Sequence, residues 1–178
     1  DQIFMPDKKE PHYFGKDLKK RSDEFIDNDD EYLSLFKDAQ SNQKIGEAST
    51  FYLYSKSAPR EIKEYNPDAK IIIMLRNPID FLHSLHSQFL FSGNEDESDF
   101  KEALNLEEDR IQGKKLPKNI DMLDKIYYRK HAFRIPEQIE SYLRTFGNEN
   151  VAVIILDDLH KNPGQCYIKI LKLLNVDT

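Results

Sequence analysis

The sequence predicts an α/β fold in which a parallel β-sheet is flanked by helices. Two observations carry that expectation. Two strand-sized apolar runs, residues 71–75 and 151–156, are separated by segments with helical spacing. Each run is followed by an Asn-Pro pair that suits a helix start, Asn77-Pro78 and Asn162-Pro163. Strands alternating with helices favour parallel pairing, and continuous apolar runs suit strands covered on both faces.

The elements follow in chain order. Acidic residues 23–31 read as a solvated turn, and Tyr32, Leu33, Leu35 and Phe36 as a short amphipathic helix. Residues 44–48 suit a short strand, with Ser49 and Thr50 at its C-terminal end. Pro59 fits a first helical turn, where its missing N–H costs nothing. That helix, residues 59–65, ends before the turn signal Asn66-Pro67. Residues 70–75 form the clearest strand, which Arg76-Asn77-Pro78 breaks. Leu82, Leu85 and Phe89 then recur at helical spacing. Ser98 is placed to cap a helix carrying Phe100, Ala103 and Leu104. Residues 113–119 make a basic loop. A long helical stretch covers residues 123–146, with a break or kink near Pro136 and Gly147 as its C-cap. Residues 151–156 form the second buried strand, and residues 157–161 a turn or short helix. Pro163 opens the last helix, lined on one face by Tyr167, Ile170, Leu171 and Leu174.

A chain of 178 residues is long enough for one domain with a real core, and the whole span 1–178 reads as a single domain. The net charge of −6 argues against a surface devoted to nucleic acid, but leaves room for a local anion pocket. No apolar run reaches the length of a membrane span. Cys166 is the only cysteine, so no internal disulfide can form, and its helical setting suggests a buried inert thiol.

Three short segments have residues suited to chemistry. Residues 71–75 deliver Arg76 to a strand's C-terminal edge, where ligands bind in open α/β sheets. A guanidinium matches phosphate oxygens, and Ser84 follows two turns into the next helix. Taken alone, an ion pair for Arg76 and a packing role for Ser84 are the plainer readings. In Lys9-Glu10-Pro11-His12-Tyr13-Phe14 a carboxylate stands among cations and aromatics, which suits a general base; an exposed loop charge is the alternative. In Gly46-Glu47-Ala48-Ser49-Thr50 polar side chains end a strand, and a local cap at Ser49 or Thr50 would also explain them.

In this order the segments resemble the sulfotransferase family, particularly the carbohydrate (heparan sulfate type) branch and its bacterial relatives. The stretch Ile3-Phe4-Met5-Pro6 through Phe14 is similar to the segment that follows the family's phosphate-binding loop. Gly46–Thr50 with Tyr52-Leu53 resembles its second strand. Residues 66–70 with Leu75-Arg76-Asn77-Pro78 and Ser84 resemble its 3′-phosphate motif. Residues 139–163 resemble its later helix, strand and turn.

The resemblance implies a P-loop-containing nucleotide hydrolase-like fold and 3′-phosphoadenosine 5′-phosphosulfate as donor, with adenosine 3′,5′-bisphosphate as product. It implies that Arg76 and Ser84 hold the 3′-phosphate and that Glu10 takes the proton of an acceptor hydroxyl or amine. Lys9 and His12 would lie near the acceptor. Tyr128 and Arg129 suit an acceptor cleft by residue type, and packing roles suit them equally. No metal is implied, and His83 and His86 lack a third ligand at suitable spacing. A carbohydrate acceptor follows from the branch, and a cytoplasmic site, in preference to a Golgi lumen, from the bacterial relatives.

The sequence also departs from the family pattern. The Gly- and Lys-containing phosphosulfate loop would lie just before Asp1, and the basic stretch that closes over the nucleotide near the C-terminus is missing. The span therefore reads as truncated at both ends. Ala48 follows Glu47 where heparan-type enzymes often carry lysine. A P-loop nucleoside or nucleotide kinase and a catalytically inactive anion-binding module remain as alternatives.

Overall fold

Asn77 and Pro78 show how the sequence builds its local structure. Asn77 Oδ1 accepts the Ile79 N–H at 3.0 Å and Pro78 fills the first helical position, so strand β3 (Ile71–Leu75) gives way at once to helix α4 (Pro78–Ser92). The cap satisfies one of the free N–H groups of a helix start, and the proline, which has no N–H, leaves none to satisfy at its own position. The computed structural model describes residues 2–18, 25–120 and 126–177.

The described elements confirm the α/β class. Strand β1 (Ile3–Phe4) pairs in parallel with β2 (Lys44–Ile45), Ile3 opposite Lys44 and Phe4 opposite Ile45. Between them lies α1 (Asp29–Ser34). After β2 come α2 (Phe51–Tyr54) and α3 (Ala58–Tyr65). Strand β3 pairs with β4 (Val151–Ile155) in a second sheet. Helices α5 (Phe100–Asn105), α6 (Glu107–Ile111) and α7 (Tyr128–Phe146) follow α4, and α8 (Leu156–Lys161) and α9 (Pro163–Leu174) follow β4.

Several expectations shift by local chemistry. Residues 29–31 are the first turn of α1, where their negative charge suits the helix N-terminus, and Asn28 caps it, its Oδ1 accepting the Glu31 N–H at 2.8 Å while its side-chain amide donates to Glu31 Oε2. Residues 23 and 24 lie outside the described residues, as do residues 123–125 of the expected long helix. The expected strand 44–48 is paired only at Lys44–Ile45, because the backbone beyond it turns to meet Glu10. Gly46 keeps this turn close to β1: a Cβ there would lie 2.9 Å from the Met5 sulfur. Asp99 rather than Ser98 caps α5, accepting the Glu102 N–H at 2.9 Å. Strand β3 is not covered on both faces: Ile73 is buried, while Ile72 and Met74 are 39% and 50% exposed. Its alternation is that of a half-covered strand. Cys166 is half-buried.

The chain gathers into two compact units. One comprises Asp1–Ile73, Gln138–Ile154 and Asp158–Thr178; the other comprises Met74–Glu137 and Ile155–Asp157. The first has a core of Phe14, Ile26, Tyr32 and Ala58, with Tyr13, Tyr52 and Ile62 against it. The second has a core of Phe89, Ala103, Ile126, Tyr127 and Tyr128, with Leu82, Leu85 and Leu104 against it. No described helix is long and apolar enough to cross a membrane.

Candidate active site

In the first unit, residues 10–14 run beside the turn that follows β2. Glu10 and His12 hold φ angles of 54° and 48°, in the left-handed region that non-glycine residues rarely adopt. A ladder of bonds to acceptors on residues 48–61 keeps them there. The Glu10 N–H donates to the Ala48 carbonyl at 3.2 Å, and the His12 N–H to Ser49 Oγ at 3.1 Å. The Phe14 N–H donates to the Tyr52 hydroxyl at 3.2 Å, and the Gly15 N–H to Glu61 Oε2 at 2.7 Å.

This backbone gives the Glu10 carboxylate an asymmetric setting. Its Oε2 accepts the Thr50 N–H at 2.7 Å and the Thr50 hydroxyl at 3.0 Å, and lies 3.1 Å from His12 Nε2. A carboxylate only accepts, so Nε2 is the donor of that contact. Its other oxygen, Oε1, receives no hydrogen bond among the described residues, and the side chain is 41% exposed. One oxygen is fixed while the other is open, which suits a base that must meet an incoming proton. His12 itself is buried, packed against the rings of Phe25 and Phe51 at centroid distances of 4.5 and 5.1 Å. Lys9 is exposed beside Glu10.

Behind this turn lies a second carboxylate that sequence reasoning gave no role. Glu47 accepts hydrogen bonds from Tyr52 at 2.6 Å, Ser49 at 2.9 Å and Tyr32 at 3.5 Å. Burial raises its carboxyl above the usual carboxylate range; the three hydroxyls pull it down without cancelling that effect, and the Glu10 charge adds to it. Burial and the Glu47 charge raise Tyr32 and Tyr52 in turn, so both phenols keep the proton they donate. The spacing Glu47-x-Ser49-x-x-Tyr52 was the only available signal, and spacing does not say that three side chains converge. Asp17 fastens the following loop. Burial would raise its carboxyl, but donors from Ser55, Lys56 and Ser57 outweigh that and hold it below the usual range.

In the second unit, Arg76 follows the last residue of β3 and precedes the Asn77 cap of α4. Its guanidinium is exposed and makes no ion pair among the described residues. Ser84 is exposed on α4, about 9 Å along the helix axis from Pro78. Tyr128 lies fully inside the core and donates to Glu95 Oε2 at 2.8 Å, so its hydroxyl is engaged within the protein. Arg129 is exposed at the start of α7, and its backbone N–H donates to Glu107 Oε2 at 2.7 Å. His86 is buried with Nε2 2.8 Å from the Glu97 carbonyl, and His83 packs on Phe100 at 3.9 Å. Among the described residues no cluster of His, Cys, Asp or Glu could hold a metal.

The α/β fold, the anchored carboxylate and the exposed arginine at a strand end agree with what comparison with known proteins finds. The chain belongs to the sulfotransferase domain family, whose family model matches residues 9–178. The crystal structure of a sulfotransferase from Alicyclobacillus acidocaldarius is similar, with a TM-score of 0.84 and 30% identity over 99% of this chain and 72% of that one. The sulfotransferase domain from the curacin biosynthetic pathway is a remoter likeness, 16% identical with a TM-score of 0.47, covering 84% of this chain and 44% of that one. No curated protein sequence matches.

Proposed function

We propose that this sulfotransferase-family chain moves a sulfuryl group from 3′-phosphoadenosine 5′-phosphosulfate to a hydroxyl or amine of an acceptor, with a carbohydrate as the first candidate. The observation that carries the reading is the Glu10 carboxylate, anchored through Oε2 and open at Oε1. Glu10 takes the acceptor proton at Oε1 as the acceptor oxygen or nitrogen bonds to sulfur. The bond from sulfur to the bridging oxygen breaks, and adenosine 3′,5′-bisphosphate departs. Arg76 and Ser84 hold the 3′-phosphate; the support is the family match together with an exposed guanidinium that no carboxylate engages among the described residues. Lys9 stands exposed next to the base and His12 orients it. Catalysis of this kind is mainly positioning plus neutralisation of developing charge.

The test is an acceptor-dependent donor assay. The full chain is incubated with the phosphosulfate donor and, separately, a desulfated heparan oligosaccharide, a phenol and an alkyl amine. Release of adenosine 3′,5′-bisphosphate that requires one of these acceptors, matched by an equal amount of sulfated product, is the expected result. Magnesium-dependent ATP turnover with the phosphosulfate left intact would overturn the reading.

A further inference from the structure

The half-buried carboxylate of Glu47 has no part in the chemistry just described, yet its partial loss of solvent is costly. No cation pairs with it among the described residues, and its partners are three hydroxyls. A partly desolvated charge offset only by hydroxyl donors is a poor way to fill space.

The two closer hydroxyls also act in a second direction. Ser49 Oγ donates to Glu47 Oε2 and accepts the His12 N–H. The Tyr52 hydroxyl donates to Glu47 Oε1 and accepts the Phe14 N–H. A hydroxyl has one hydrogen and spare lone pairs. With its hydrogen committed to the carboxylate, each hydroxyl turns an acceptor face to the backbone. The two amides it receives lie at and just beyond His12, within the turn where Glu10 and His12 hold positive φ.

We propose that Glu47 is a positioning residue for sulfuryl transfer: through Ser49 and Tyr52 its two oxygens fix the 10–14 turn and so hold the Glu10 carboxylate where it meets the acceptor. The inference rests on the reading of Glu10 as the base. Glu47 touches neither donor nor acceptor in this account. An amide in its place brings its own N–H donors to one of the two oxygen positions. Either Ser49 or Tyr52 then loses its acceptor, and its hydrogen must turn elsewhere.

The experiment compares Glu47→Gln, Ser49→Ala and the double variant with the full-length wild type. The probes are the phosphosulfate donor and a desulfated heparan oligosaccharide, or whichever acceptor of the panel is turned over. The expected result is a kcat loss on the order of tenfold to a hundredfold for Glu47→Gln. The donor KM and the melting shift caused by adenosine 3′,5′-bisphosphate stay within about twofold, and Ser49→Ala adds less than about twofold in the Glu47→Gln background. A folded Glu47→Gln protein with wild-type kcat overturns the inference, and so do losses that multiply as if the two sites were independent. Should Glu47→Gln not fold, Ser49→Ala and Tyr52→Phe decide, and wild-type kcat in both overturns it. Glu10→Gln runs alongside. If it keeps its activity while Glu47→Gln loses it, the base reading fails; the reverse pattern removes only the role of Glu47.

Discussion

Left-handed backbone at Glu10 and His12 costs on the order of 1–3 kcal/mol per residue. The segment holds that conformation because each of its N–H groups at 10, 12 and 14 has an acceptor on residues 48–52. What the strain achieves is a carboxylate with one oxygen tied and one open. Arg76 presents the complementary case, a cation with no carboxylate on it among the described residues. Charge-assisted bonds to phosphate are among the stronger hydrogen bonds, and lysine does not reproduce the guanidinium's two-point grip. Adenosine 3′,5′-bisphosphate is therefore expected to raise the melting temperature of the full-length protein, and Arg76→Ala to abolish that rise. An undiminished rise in the variant, followed by thermal scanning, would remove the 3′-phosphate assignment.

Among the elements, a buried ion pair organises the second unit. Arg110 grips Glu95 with two bonds of 2.7 Å, and both side chains are fully inaccessible. Tyr128 adds a third bond, and the N–H of Glu97 a fourth. Burial alone would raise the Glu95 carboxyl, but Arg110, Glu97 and Tyr128 outweigh it and hold it below the usual carboxylate range. A carboxyl whose folded value lies below its unfolded value stabilises the fold above the unfolded value, about pH 4.3. That contribution fades as the pH falls through the lower folded value. Glu95→Ala leaves Arg110 charged and buried alone, so it should cost about 3–5 kcal/mol at neutral pH. Tyr128→Phe removes one bond and should cost about 1 kcal/mol. Denaturant titration of both variants checks the order. A Glu95→Ala loss no larger than that of Tyr128→Phe would show that the pair does not organise this core. Glu107 serves the neighbouring helix by accepting the N–H groups of Arg129 and Lys130 at the start of α7, where negative charge is favoured.

Over the whole molecule, the sequence reveals what depends on neighbours along the chain. The apolar runs mark β3 and β4, and Asn77-Pro78 and Asn162-Pro163 mark the starts of α4 and α9, because burial and the missing proline N–H act locally. Motif order was enough to indicate the family, and the match over residues 9–178 confirms it. Contacts between distant residues were not legible. Nothing in the sequence says that Thr50 meets Glu10, that Ser49 meets the His12 N–H, or that Tyr128 turns inward to Glu95. The continuous run at 71–75 likewise suggested burial on both faces, because a run of apolar residues does not record which face another element covers. The same long-range folding that hid these contacts creates the proposed base, which makes Glu10 the most direct point of attack. The measurement is single-turnover sulfuryl transfer by the wild type and by Glu10→Gln, each saturated with donor and supplied with a responsive acceptor. Adenosine 3′,5′-bisphosphate should bind both proteins equally, and transfer should be slower in the variant by about a hundredfold or more; transfer at the wild-type rate would contradict the role of Glu10 as base.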